Sequence, residues 1–296
     1  MNGLQARWRL IRSRFANGRE NMAVDEALLL SVARGDAAPT LRLYGWRPPG
    51  VSLGHFQEIE GQIDVQECAR RGYTIVRRPT GGRAILHDDE VTYSVAVRQA
   101  DLAGGERLIE SYREISRGIE EGLRRIGVEA GMAQEKIQGS GSLPAACFAK
   151  AARSDMTVDG RKIVGSAQAR RYGAILQHGS IPLRVHVANV AAVMAPDRRA
   201  RKVLGEAAVS VSDAAGRDVS FEEMCEALEA GFQEGLGVSL AEGELTGEER
   251  RMVEWLRERK YASEEWNLAR QERAQMEGGR RQSPSPTEKA KADSGE

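Results

Sequence analysis

Between Met156 and Ser166 the side chains alternate with a period of two. Met156 and Val158 stand on one side of Asp159-Gly160, and Lys162, Val164 and Ser166 on the other. Alternation on both sides of an Asp-Gly turn specifies an antiparallel β-hairpin and excludes a helix there. Just upstream, QGSGSLPAA is too rich in Gly, Ser and Pro for a helix or strand interior, so Cys147 is expected on an irregular loop. The hairpin carries Lys162 back along the outgoing strand, within reach of the Cys147 thiol. On local pattern alone, Cys147 reads equally well as a small buried hydrophobe, and Lys162 as a solvated turn charge.

A second stretch, RRPTGGRAILHDDEVTYSVAV from Arg77 to Val97, sets Gly81 and Gly82 between two strand-like runs. Glycines there can take positive φ and let a ligand approach the backbone, although from the glycines alone a plain hairpin turn is the favoured reading. The stretch has neither the GxxxxGK[ST] of a P-loop nor a third glycine opening a helix. His87-Asp88-Asp89-Glu90 has consecutive carboxylates without HExxH spacing, and no metal site is expected.

Around these stretches the chain alternates strands and amphipathic helices. Trp8 to Ser13 reads as a strand closed by Asn17-Gly18, and NMAVDEALLLSVAR as a helix stopped by Gly35. TLRLYGW and VSLGHF are strands split by Arg47-Pro48-Pro49-Gly50. Ile63 to Arg71 is a short helix ended by Gly72, leading into the strand YTIVRR. Leu108 to Ile126 is a long covering helix with one apolar face, and YGAILQHGSIPL a strand carrying His178, which at such a place is more often a hydrogen-bonded structural residue than a base. Phe221 to Gly235 and Glu248 to Arg259 read as surface helices. From about Gln271 the chain is polar and nearly free of apolar residues, which predicts a disordered tail over 271–296.

Composition sets outer limits. Forty-three basic residues balance forty-three acidic ones in a 296-residue chain with 41% hydrophobic content, so no whole-molecule charge favours nucleic acid. Neither a membrane-length apolar run nor an apolar signal core is present, and a cytoplasmic location without membrane association is expected. Three cysteines without a CxxC pair suggest free thiols; Cys68 and Cys225 fall in helix-patterned segments and read as packing residues.

Taken together, NMAVDEALL, RRPTGGRAILH, GRKIVGSAQ, LQHGSIPL and KYASEEWN resemble the catalytic domain shared by biotin protein ligases, lipoate protein ligases and lipoyl-pathway octanoyltransferases, over roughly residues 7–268. With ACF upstream of the GRKIVGSAQ hairpin, the LipM-type octanoyltransferases are the nearest match within that superfamily. The resemblance implies an α+β fold of curved mixed β-sheets packed with helices. It implies Cys147 as nucleophile and Lys162 as its partner. It also implies an acyl pocket drawn from Arg77, Arg78, Gly81, Gly82, Arg83, Ala84 and His87 in one stretch and Gly165, Ser166 and Ala167 in the other. Backbone amides around Gly165 to Ala167, or beside Cys147, become candidates for an oxyanion site. The implied reaction moves octanoyl from octanoyl acyl carrier protein, through a Cys147 thioester, to a lysine of a lipoyl domain such as the glycine cleavage system H protein. No cofactor is implied, a monomer is expected, and the accessory C-terminal domain of many ligases is not. On the same fold an ATP-dependent lipoate or octanoate ligase needs the lysine but no cysteine, and a lipoyl-domain amidotransferase would use the same cysteine.

Overall fold

The computed structural model describes residues 6–60, 62–133, 155–194 and 206–269. Cys147 and the predicted tail over 271–296 lie outside the described residues. The larger sheet is built from β1 (Arg7–Ala16), β2 (Thr40–Trp46), β6 (Glu90–Arg98), β7 (Gly131–Met132), β8 (Met156–Val158), β9 (Arg161–Arg171), β10 (Ala174–Pro182) and β11 (Ser239–Glu242). Their order across the sheet is β11-β1-β2-β6-β10-β9-β8-β7. Parallel pairing joins β1 to both β11 and β2, and antiparallel pairing runs from β2 onward. A smaller sheet of β3 (Gly50–Leu53), β4 (Thr74–Arg77) and β5 (Ile85–His87) has the order β4-β3-β5. The fold is α+β with a mixed sheet, and the Asp159-Gly160 turn joins β8 to β9 as its alternation requires.

Helices cover both faces of the larger sheet. On one side α3 (Leu108–Arg125) and α6 (Phe221–Leu236) bury Ile115, Ile119, Leu228 and Phe232 against Tyr93 and Val95. The two helices approach closely enough that a Cβ on Gly231 would stand 2.3 Å from the Gly122 backbone nitrogen. On the other side α1 (Gly18–Arg34) and α7 (Gly247–Leu256) enclose Met22, Leu28, Trp46 and Leu256. Each of α6 and α7 therefore has one face in the core, and neither is simply a surface helix. Short helices α2 (Val65–Arg70) and α4 (Val187–Met194) pack on the smaller sheet around Val51, Leu53, Cys68 and Met194, and the single-turn α5 (Val211–Ala215) adds Val211 to the core of the larger one.

Local chemistry explains the element ends. Asn17 does not close a turn after β1: its side chain accepts the Glu20 N–H at 3.0 Å and caps α1, and Gly35 ends that helix in the left-handed region. The strand expected over VSLGHF stops at Leu53, and the helix expected from Ile63 begins at Val65, capped by Asp64. Thr246 and Glu249 form a reciprocal capping box at the start of α7. After α7 a π-turn (Arg257–Tyr261) and α8 (Glu264–Asn267) bring the C-terminal segment over the smaller sheet, where Trp266 Nε1 donates to the Arg77 carbonyl at 2.9 Å. Among the described residues no helix is long and apolar enough to cross a membrane.

Candidate active site

A cleft with about 410 Å³ of empty space opens between the two sheets. Antiparallel register fixes one wall, pairing Gly165, Ser166 and Ala167 of β9 with Ser180, Gly179 and His178 of β10. Met22 of α1, Tyr44 and Trp46 of β2, Ser52 of β3 and Ile85 and His87 of β5 close the rest, with Arg78 and Gly82 at the loop between β4 and β5. Six residues proposed from sequence, Arg78, Gly82, His87, Gly165, Ser166 and Ala167, thus line one cavity although they come from distant segments.

Lys162 is 1% exposed and is not a solvated turn charge. Its Nζ donates to Asp155 Oδ2 at 2.8 Å, and Asp155 Oδ1 accepts the Ser166 N–H at 3.3 Å. The lysine is folded over the cleft wall: a Cβ on Gly165 would meet Lys162 Cε at 2.9 Å and Nζ at 3.1 Å. A side chain at 165 would therefore press on the end of the lysine, and glycine there leaves the ammonium room beside the cleft wall. The Ser166 amide is taken by Asp155, which removes it from the oxyanion candidates. Asp155, with Met156 of the following strand facing Val164, was not singled out by sequence; its position one residue before β8, opposite the Lys162 strand, was the available signal.

His87 is held at both nitrogens. Its Nδ1 faces Glu90 Oε1 at 2.7 Å, and its Nε2 faces Ser52 Oγ at 2.7 Å. A carboxylate can only accept, so the network puts the proton on Nδ1 and makes Ser52 the donor to Nε2, while Arg78 Nη1 donates to Ser52 Oγ at 3.1 Å. Glu90 also accepts from the Thr92 and Ser180 hydroxyls. Trp46 donates to Thr92 Oγ1 at 2.9 Å and stacks on the His87 ring, centroids 3.9 Å apart and planes 5° from parallel. Sequence reasoning missed Trp46, Ser52 and Thr92, whose only common signal is their three-dimensional convergence on His87 and Glu90.

His178 is fixed similarly, with Nδ1 2.8 Å from Asp25 Oδ2 and Nε2 2.6 Å from Thr80 Oγ1. Burial pushes the Asp25 carboxyl upward, but Arg42 at 2.7 Å, His178 and Tyr44 outweigh it and hold the group below its ordinary range. Burial lowers the His178 pKa, and Asp25 offsets only part of that. Both imidazoles have both nitrogens hydrogen-bonded, so they shape the wall and offer a substrate no open lone pair.

The paired arginines divide their work. Arg78 staples the loop that follows, donating to the carbonyls of Gly81 at 2.7 Å and Arg83 at 2.8 Å and to Ser52 O at 3.1 Å. Arg77 turns away from the cleft. Its Nη1 donates to the Gly54 and Gln57 carbonyls at 2.8 and 2.7 Å, its Nε donates to Trp266 O at 3.1 Å, and it anchors the loop after β3 to the C-terminal segment. Gly81 and Arg83 do not line the cleft, and Ala84 faces a neighbouring cavity. Among the described residues no group of three or more His, Cys, Asp or Glu side chains could hold a metal ion.

Comparison with known proteins adds to this geometry. Residues 17–233 match the family model described as the lipoyl protein ligase A/B catalytic domain. Octanoyltransferase LipM of Kyrpidia tusciae is 46% identical over 269 residues, 88% of this chain and 98% of that protein. Octanoyltransferase LipM of Symbiobacterium thermophilum is 41% identical over 274 residues, 90% of this chain and 99% of that protein. Among solved structures, lipoate-protein ligase A bound with ATP aligns with a TM-score of 0.74 at 28% identity, covering 90% of this chain and 100% of that one. The bipartite lipoate protein ligase of Thermoplasma acidophilum gives a TM-score of 0.74 at 28% identity over 92% of this chain and 99% of that one.

Proposed function

This chain belongs to the lipoyl protein ligase A/B catalytic-domain family, and from that membership we infer that it is an acyltransferase moving octanoyl groups in protein lipoylation. The observation that carries the reading is the near full-length similarity to octanoyltransferases; the cleft, with Met22, Trp46 and Ile85 in its lining and the Arg78 loop at its edge, is consistent with it. The donor is octanoyl acyl carrier protein and the acceptor a lysine on a lipoyl domain. The glycine cleavage system H protein is the acceptor we propose.

In this reading Cys147 is the nucleophile and Lys162 its partner. An unperturbed thiol is only a few per cent thiolate at neutral pH, and a neighbouring ammonium raises that fraction. The Cys147 sulfur bonds to the acyl carbon as the donor's carbon–sulfur bond breaks, and the thiol proton leaves on the departing sulfur. Thioester exchanges for thioester, so no outside energy source is needed. The acceptor amine then forms a carbon–nitrogen bond as the Cys147 thioester breaks, and its proton returns to sulfur. Asp155 keeps Lys162 in place through both halves. The octanoyl chain gains about 0.8 kcal/mol for each CH₂ buried in the cleft.

Intact-mass measurement after mixing with octanoyl acyl carrier protein, without ATP, tests this. A single octanoyl adduct on the native chain and none on Cys147→Ala is expected, with the melting temperature of the variant unchanged. Wild-type turnover by Cys147→Ala would end the covalent mechanism.

A further inference from the structure

Beside the cleft lies a second cavity, with about 520 Å³ of empty space that is partly open to solvent. It sits between β5, the end of β10 and α4, and it shares Ile85 and Ser180 with the cleft. Ile85 reaches the reaction end. Its Cδ1 lies 3.8 Å from the point where a Cβ on Gly165 would stand, and Lys162 Nζ lies 3.1 Å from that same point. The two spaces therefore meet beside the ammonium. Leu86, Pro182, Val190 and Met194 give the second cavity apolar walls, and Asp88, Asp89, Arg184 and His186 stand at its polar side. Arg184 pairs with Asp89 at 2.9 Å and Asp218 at 3.0 Å, and His186 lies 4.0 Å from Asp89. These pairs are largely solvent-exposed, and such pairs are weak enough to yield to an incoming anion.

We propose that this cavity receives the phosphopantetheine arm of the acyl donor, with the thioester sulfur at the Ile85–Ser180 junction and the phosphate at Arg184 and His186. The proposal rests on the transferase reading and adds where the donor enters. A carrier protein is too large for the cleft, so its acyl group arrives on a long arm that must leave the cleft next to the reacting carbonyl. The arm has methylene and dimethyl groups for the apolar walls, amide N–H groups for the Asp88 and Asp89 carboxylates, and one phosphate for the basic pair. A lysine acceptor has a short side chain and needs no second cavity. The two half-reactions should then depend on it differently.

The test measures acyl-enzyme formation by intact mass with three donors: octanoyl acyl carrier protein, octanoyl-phosphopantetheine and S-ethyl octanethioate, which has no arm. Val190→Trp, filling the cavity from α4, should lower kcat/KM at least tenfold for the first two and less than twofold for the third. Deacylation of preformed acyl-enzyme by the acceptor should stay within twofold. Arg184→Glu, on the exposed rim and so safe for folding, should raise KM for octanoyl-phosphopantetheine about tenfold and leave octanoyl-pantetheine, which lacks the phosphate, unchanged. Equal slowing of all three donors, or of none, would overturn the proposal. So would protection of the enzyme from acylation by ATP but not by free phosphopantetheine, which would make the cavity a nucleotide site. Failure of the wild type to acylate with any thioester would remove the transferase reading itself, and that outcome is distinct from the others.

Discussion

Three thiols share this chain, and burial sets two of them apart. Burial pushes Cys68 up to about 11 and Cys225 up to about 12, so both stay protonated and inert at neutral pH. Cys147, with Lys162 as its proposed partner, is then the one expected to react. Lys162→Ala should slow acyl-enzyme formation at least tenfold and move the midpoint for Cys147 alkylation up by about one unit. An unchanged alkylation profile would show that the lysine and the thiol are not neighbours. His178 gives a second prediction at this scale. Its pKa is lowered in the folded chain, so below about 6.5, the ordinary histidine value, the unfolded chain binds a proton that the folded one resists. Its contribution is present above that pH and is lost as pH falls toward the lowered folded value. Urea unfolding between pH 7.5 and 5.5 should show wild-type stability declining, with a shallower decline in His178→Gln. Equal slopes would assign the titration to another group.

The loop between β4 and β5 is the element on which the cleft depends, and its glycines are not equivalent. Gly82 takes φ +93°, and a Cβ there would stand 2.8 Å from Arg78 Nη2, the group that staples the loop. A Cβ on Gly81 meets nothing within 4 Å. Gly82→Ala should therefore lose about 1–2 kcal/mol of stability together with most acylation activity, and Gly81→Ala should stay within about 0.5 kcal/mol. Matching losses in denaturant unfolding would show that the loop is held some other way. The pair of glycines was visible in sequence; which one bears the strain was not, because the answer lies in the Arg78 side chain. The same division runs through the molecule. Local patterns reveal the β8–β9 hairpin, α1 and α3, since turn chemistry and periodicity are contained within each segment. They do not reveal that Arg77 serves Trp266 while Arg78 serves the loop, or that Trp46, Ser52 and Thr92 join His87 and Glu90. Those contacts come from strand pairings between distant segments. The parallel alignment of β1 with β11 is of the same kind and has no local signature.

At the scale of the whole molecule the question is where the energy for amide formation comes from. The fold aligns with a lipoate-protein ligase bound with ATP, and relatives 46% and 41% identical in sequence are octanoyltransferases, so architecture alone is compatible with either chemistry. A thioester donor already carries the free energy that the amide releases, whereas a free fatty acid must first be activated. If the transfer runs through Cys147, nucleotide has no role, and apo lipoyl domain should be octanoylated from octanoyl acyl carrier protein in buffer stripped of ATP and magnesium. Octanoate with ATP and magnesium should give no product above background. The lysine and the Arg78 loop would serve both reactions, so neither discriminates between them; the cysteine does, and Cys147→Ala should remove the carrier-dependent product completely. Gel-shift or mass analysis of the lipoyl domain reads all three outcomes at once. Product from octanoate and ATP without product from the carrier thioester would leave Cys147 a bystander and return the cleft to adenylate chemistry.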